Sequence, residues 1–416
     1  MPPQPFTLNP SFLAMARGVR ELHLLMAEGK DDSPEAEALR DATDAPWESL
    51  SEIERRRVRN LSEDLYSLHE PVSPVLPTNP QAQPKLGDAV EARKQGDWDR
   101  ALDLLRRWGS YVDPALVSYL RGAIWLEAGD PATAALFYEH AAKLQPDNEN
   151  FLAMFLHAKG ISDPDEARRR AEEILQEPDK SPPVVVARAA EIYFDSLKNS
   201  SESEASRRFH LLVPVLESTV RRFAQEDLSN VDRSSYVMTI ALLGFAHEFL
   251  GEARLALENY SRGLQIEHTN DALLVARGIL LYGTGARAIT DFEMAIRYRS
   301  PVIWPYFFLA HDRLLHNRFD ECRRLCEQAL EMPGSAAVKS ELSEWMAIAQ
   351  SELGFPVETV RASFENAIRL DPSNERASRN LTAFEKAVRP TIKMWETRSP
   401  AAVRSSGLAE RRYQAA

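Results

Sequence analysis

Four short motifs in this sequence hold residue types that do chemistry elsewhere, and each has a plainer use to be weighed against. His247-Glu248-Phe249-Leu250-Gly251 opens like the helix of a zinc protease, whose metal needs a second imidazole one turn on. Gly251 stands in that place, so the motif reads as the end of a helix and no metal is expected there. Gly283-Thr284-Gly285 has the glycines of a phosphate-cradling loop but neither its lysine nor a preceding strand. Cys322 and Cys326 lie one helical turn apart with no second thiol pair to complete a zinc site, and read as small buried hydrophobes. No Gly-x-Ser-x-Gly elbow occurs and the nine histidines are scattered, so no nucleophile and base can be paired. The expectation is a protein without catalytic residues, cofactor or metal, and not an enzyme.

The fourth motif, Arg55-Arg56-Arg57-Val58-Arg59, is the densest basic run. Nucleic-acid binding rests on Lys and Arg neutralising phosphates, yet Glu52, Glu54, Glu63 and Asp64 surround this run, the first 85 residues hold nine Lys and Arg against 14 Asp and Glu, and the whole chain carries −12. A solvated helix face is the preferred reading, with no nucleic-acid partner. The alternative is a ligand-responsive regulator with a nucleic-acid-binding N-terminal segment and a helical sensor domain.

The elements that must position these residues show a period. Ala101, Ala134 and Ala167 lie 33 residues apart, and Ala256, Ala288 and Cys322 follow at separations of 32 and 34. A repeat of that length signals a stack of helical hairpins. One copy reads Gly122, Trp125, Gly129, Ala134, Tyr138, Ala141, Pro146, and another Gly244, Gly251, Ala256, Tyr260, Gly263. Small residues let two antiparallel helices approach closely, an aromatic fills the gap beside them, and proline stops the second helix. Spacing and residue types resemble the tetratricopeptide repeat. The fold class expected is therefore all-α: a right-handed α-solenoid of antiparallel hairpins preceded by a small helical segment.

The chain divides into four parts on this reading. Residues 1–70 form a three-helix segment: Asn9-Pro10 caps the first helix, Ser33-Pro34 starts the second, and Ser51 with Glu54 makes a capping box for the third. In 71–85, Pro71, Pro74, Pro77 and Pro80 recur at the polyproline II period, with Pro84 beyond, and mark a semi-rigid linker. Residues 86–388 hold about eight hairpins plus a capping helix, the third hairpin degenerate and the fourth oversized, with Pro214 expected to kink its second helix where a buried amide donor is missing. Residues 389–416 are expected to be a disordered tail of charge +4, leaving −16 on the body. Neither a basic-then-apolar leader nor an apolar run of about 18 residues is present, so a cytoplasmic protein with no membrane partner is expected.

The resemblance implies a binding scaffold whose groove, lined by the first helix of each hairpin, takes a peptide or helix from a protein partner. Carrying the register over from Gly244, the groove side takes Phe245 and Phe249, then Arg277, then Phe307 and His311, then Trp345 and Met346. The family's clamp for acidic C-terminal peptides needs Lys and Asn where Leu86, Val90, Ala241 and Phe245 stand, so that specificity is not expected. The basic tail, with Met394 and Trp395, has the composition to fold back into the groove of the acidic body.

Overall fold

A computed structural model describes residues 4–69, 76, 79–197, 200–226, 233–284, 287–386 and 395–414. Among them every regular element is helical, with no strand. The helices are α1 (Pro10–Ala27), α2 (Pro34–Glu48), α3 (Glu52–Tyr66), α4 (Ala82–Lys94), α5 (Trp98–Trp108), α6 (Pro114–Glu127), α7 (Pro131–Leu144), α8 (Glu149–Ser162), α9 (Pro164–Gln176), α10 (Pro183–Ser196) and α11 (Glu202–Gln225). They continue with α12 (Arg233–Phe249), α13 (Ala253–Ile266), α14 (Asp271–Leu281), α15 (Arg287–Arg297), α16 (Trp304–Leu315), α17 (Phe319–Leu330), α18 (Ala336–Glu352), α19 (Val357–Leu370), α20 (Glu375–Lys386) and α21 (Pro400–Gln414).

The chain forms two compact units, Met1–Tyr193 and Phe194–Ala416. In the first, α4 to α9 pair into three hairpins; in the second, α12 to α19 pair into four. Close packing at each crossing depends on a missing side chain. A Cβ on Gly122 would sit 2.8 Å from the ring of Tyr138, one on Gly244 2.5 Å from Tyr260, and one on Gly278 2.7 Å from Phe292. Ala134, Ala256 and Ala288 are fully buried beside them. The turn within a hairpin also repeats: Gly96, Gly129, Gly251, Gly283 and Gly354 all take positive φ, and Asn317 takes φ 59° in the same place. The next residue's N–H reaches back to the helix, as in Asp130 to Trp125 at 2.9 Å and Glu252 to His247 at 2.8 Å, which closes the helix end in a left-handed cap.

The first three helices form no body apart from the repeats; they dock within unit one. Phe6 makes edge contacts with Phe12, Trp98 and Trp125 at 5.4–5.9 Å, and its N–H donates to Ala128 O at 2.8 Å. Arg20 pairs with Asp130, and Arg57 forms a fork on Asp99 at 2.7–3.0 Å. Buried Asp64 faces Arg121 at 3.1 Å and Arg106 at 3.7 Å. Asn9, Ser33 and Ser51 each cap their helix, the last in a reciprocal box with Glu54.

Two expectations change, and a third falls largely outside the described residues. Pro71, Pro74 and Pro77 lie outside the described residues, and Pro84 sits in the first turn of α4, so hairpin structure begins at Ala82. Helix α11 runs unbroken through Pro214, which is exposed. Arg389, Lys393 and Met394 lie outside the described residues, but the chain beyond them is ordered against unit two: Trp395 and Val403 are buried in its apolar core, and Pro400–Gln414 is helical. The expected disordered tail is instead a packed segment, because its Trp, Val and Gly find apolar partners that its arginines do not reveal.

Candidate partner-binding face

In unit two the first helices of successive hairpins, α14, α16 and α18, with α20 after them, present the side chains that meet the C-terminal segment. Residues 395–399 cross this face without regular structure and α21 continues along it. Its backbone is read by side chains. Asn380 Oδ1 accepts from the Glu396 N–H at 2.9 Å while its Nδ2 donates to Glu396 O at 3.1 Å. His311 Nε2 lies 3.0 Å from Arg398 O, and its Nδ1 lies 2.7 Å from the Tyr282 hydroxyl. With a backbone carbonyl as partner, Nε2 carries the proton, so Nδ1 accepts from tyrosine.

The side chains of the segment meet acid and aromatic groups. The Trp395 indole N–H donates to Glu352 at 2.6 Å, and its ring lies 5.8 Å from that of Phe364. Arg398 pairs with Glu341 and also donates to Ala402 O at 2.7 Å and to Ser406. Arg404 donates to Tyr282 O at 3.2 Å. Gly407 sits against Phe308, where a Cβ would fall 2.5 Å from the ring, and Pro400 lies over Gly283. Glu344, fully buried, takes Arg376 at 2.6 and 2.8 Å and Asn380 at 2.8 Å, which fixes the orientation of the asparagine that reads the segment's backbone. Burial holds the His311 pKa down, to about 4, with Arg376 and Arg398 lowering it further and the bond to Arg398 O opposing them.

The sequence-derived groove residues fall in different places. His311 touches the segment. Phe307 and Trp345 are buried in the core, 4.7 Å apart. Arg277 is spent on a fork to Asp291 at 2.7 and 2.8 Å within its own hairpin. Phe245 lies 5.5 Å from Tyr260 and 6.2 Å from Phe194, and Phe249 lies 4.8 Å from Phe209, so both pack between helices. Met346 is half-buried against the core. The side chains of these helices that meet the segment are others: Phe308, whose ring receives Gly407, and Glu341, which pairs with Arg398. Two carboxylates three residues apart in a helix otherwise rich in small and apolar residues were the signal for this register.

The other motifs resolve as parts of the framework. His247 pairs with Glu252 at 2.6 Å across its turn, and Glu248 accepts from the Tyr260 hydroxyl at 2.7 Å. Cys322 and Cys326 are buried thiols, and burial pushes Cys326 up. In the basic run, Arg55 bonds to Trp47 O at 3.2 Å, Arg57 covers the Phe6 ring at 4.0 Å, and Arg59 pairs with Glu52 at 2.8 Å. Among the described residues no group of His, Cys, Asp and Glu is arranged to hold a metal ion, and no helix is long and apolar enough to cross a membrane.

No protein-family model matches the chain, and no curated protein matches it. Among solved structures it is similar to the C-terminal part of a TPR repeat-containing protein from Cytophaga hutchinsonii, at 12% identity and a TM-score of 0.34, over 70% of this chain and 98% of that one. It is also similar to a tetratricopeptide repeat protein from Parabacteroides merdae, at 13% identity and a TM-score of 0.36, over 65% of this chain and 100% of that one. At such identities and scores the likeness is only a similarity; the chain's own hairpin geometry carries the fold class, an all-α array of helical hairpins.

Proposed function

We propose that this protein is a non-enzymatic scaffold that binds a segment of a protein partner across the first-helix face of α14, α16, α18 and α20. The observation that supports it is the chain already lying there, held by side chains that would suit any extended backbone: the Asn380 amide on an N–H and a C=O, and the His311 imidazole on a second C=O. The rings of Phe308 and Phe364, which the segment packs against, and carboxylates at Glu341 and Glu352 flank these handles, which is the mixture of anchor and polar guide that peptide sites use. Of the side chains expected to anchor a partner, His311 keeps that role and Asn380 joins it, while Phe245, Phe307 and Trp345 pack against other helices.

Affinity capture from the native source, comparing wild type with an Asn380→Ala, His311→Gln double variant, tests the reading. The expected result is loss of specific partners with the melting temperature of unit two changed by only a few degrees. An unchanged partner list from the folded double variant removes this face as the binding site.

A further inference from the structure

Resting on that reading, we propose that the face is selective for a segment carrying an aromatic residue and, three positions later, an arginine, and that the chain's own Trp395–Leu408 is a resident competitor which a partner of the same chemistry displaces. Three observations carry the argument. The first is charge. Glu341, Glu344 and Glu352 line the face, and Glu344 is already bound to Arg376, Asn374 and Asn380. Take away the segment and Glu341 keeps only Arg376, at 4.0 Å, while Glu352 loses the indole donor. A partly buried carboxylate without a donor is costly, so the vacated face favours a cation at one point and an N–H donor at the other.

The second observation concerns how the resident arginine is used. Arg398 reaches only Oε1 of Glu341; Oε2 is buried and has no hydrogen-bond partner. The other terminal nitrogen of Arg398, Nη2, is turned back on its own segment, to Ala402 O and Ser406. A guanidinium that approached as a fork would satisfy both oxygens, the stronger arrangement for this pair. A partner arginine free of those internal bonds therefore has an advantage over Arg398.

The third is that the non-helical stretch, residues 395–399, is held through its backbone by Asn380 and His311. Those bonds are available to any chain of the same shape, so selectivity resides in the two side-chain pockets. Self-occupancy raises a partner's apparent dissociation constant in proportion to the fraction of molecules that are closed.

The test uses the full chain and a fluorescein-labelled peptide of residues 395–409. Wild type is compared with a Trp395→Ala, Arg398→Ala variant, which weakens the resident segment and leaves the face intact. Fluorescence anisotropy should show the peptide binding the opened variant at least tenfold more tightly than wild type. Replacing either the Trp or the Arg of the peptide by Ala, or Glu341 of the opened variant by Gln, should cost at least tenfold. Equal affinity for wild type and opened variant overturns self-occupancy. Equal binding of the Ala peptides overturns the selectivity and leaves the binding face standing, whereas a folded opened variant that binds no peptide removes both. Should the opened variant not fold, wild type alone decides: saturating unlabelled peptide should speed amide exchange in residues 400–408, and unchanged exchange overturns displacement. Light scattering of wild type should give a monomer; a dimer that exchanges these segments between copies overturns occupancy within one chain.

Discussion

Gly244 and Gly87 show how the same residue type serves opposite ends. A Cβ at Gly244 would meet Tyr260 at 2.5 Å inside a fully buried crossing, whereas Gly87 has nothing within 4 Å. Gly244→Ala should lower stability by about 1–3 kcal/mol through overpacking, while Gly87→Ala, at an exposed position of α4, should raise it by roughly 0.5–1 kcal/mol by restricting the unfolded chain. Urea unfolding of the two variants beside wild type measures both signs. His311 adds a pH dependence. Its pKa falls from 6.5 to about 4 on folding, so above pH 6.5 the ring is neutral in both states and its contribution is complete. Between 6.5 and 4 only the unfolded chain takes up the proton, and stability drains by up to about 3 kcal/mol. Unfolding midpoints at pH 7.5, 5.5 and 4.5 should show this loss, and His311→Gln should flatten it in the part reported by unit two.

Helices here are specified mainly at their ends. Asn9, Ser33, Ser51, Asp97, Asp113, Asp130, Asp163 and Ser335 all accept a backbone N–H at the start of a helix, and the left-handed turn residues close the other ends. What a helix touches is decided elsewhere, by single large residues. Phe6, in a short turn before α1, joins the N-terminal helices to α5 and α6 through three aromatic contacts and the Arg57 guanidinium. Phe6→Ala should cost about 3–5 kcal/mol, and hydrogen exchange should show α1 and α3 losing protection before α6 does. Equal loss along all three would mean that the aromatic is not what holds these helices to the repeats.

For the whole molecule, a repeat array has no single core, so each hairpin is stabilised by itself and its neighbours. Unfolding should accordingly depart from one two-state transition. Phe6→Ala should shift the transition seen by exchange in residues 82–193 and leave that of residues 233–281 in place, and Gly244→Ala should do the reverse. A single transition moved equally by both would mean that the units unfold together. Charge acts at this scale as well: an acidic body with a basic C-terminal segment favours their association, and salt should weaken the part of it that rests on exposed pairs such as Arg379 with Glu396.

The sequence by itself determined the helices up to α20, their caps, the turn glycines and the hairpin period, because these depend on residues within a few positions of one another. Gly122 with Tyr138 and Gly244 with Tyr260 were legible as crossings, since the two helices of a hairpin are neighbours in the chain and their register is nearly fixed. The docking of α1 to α3, the ordering of the C-terminal segment and the residues that bind it were settled only in three dimensions. Asp64 lies 57 positions from Arg121, Arg398 is 57 from Glu341, and His311 is 87 from Arg398; nothing local links such pairs. Phe307 and Phe308 make the point at its smallest: adjacent buried aromatics on one helix, of which the first packs against Trp345 and the second, stacked on Phe292, receives Gly407. A helix rotates about 100° per residue, so a register read correctly to within one position still names the wrong side chain.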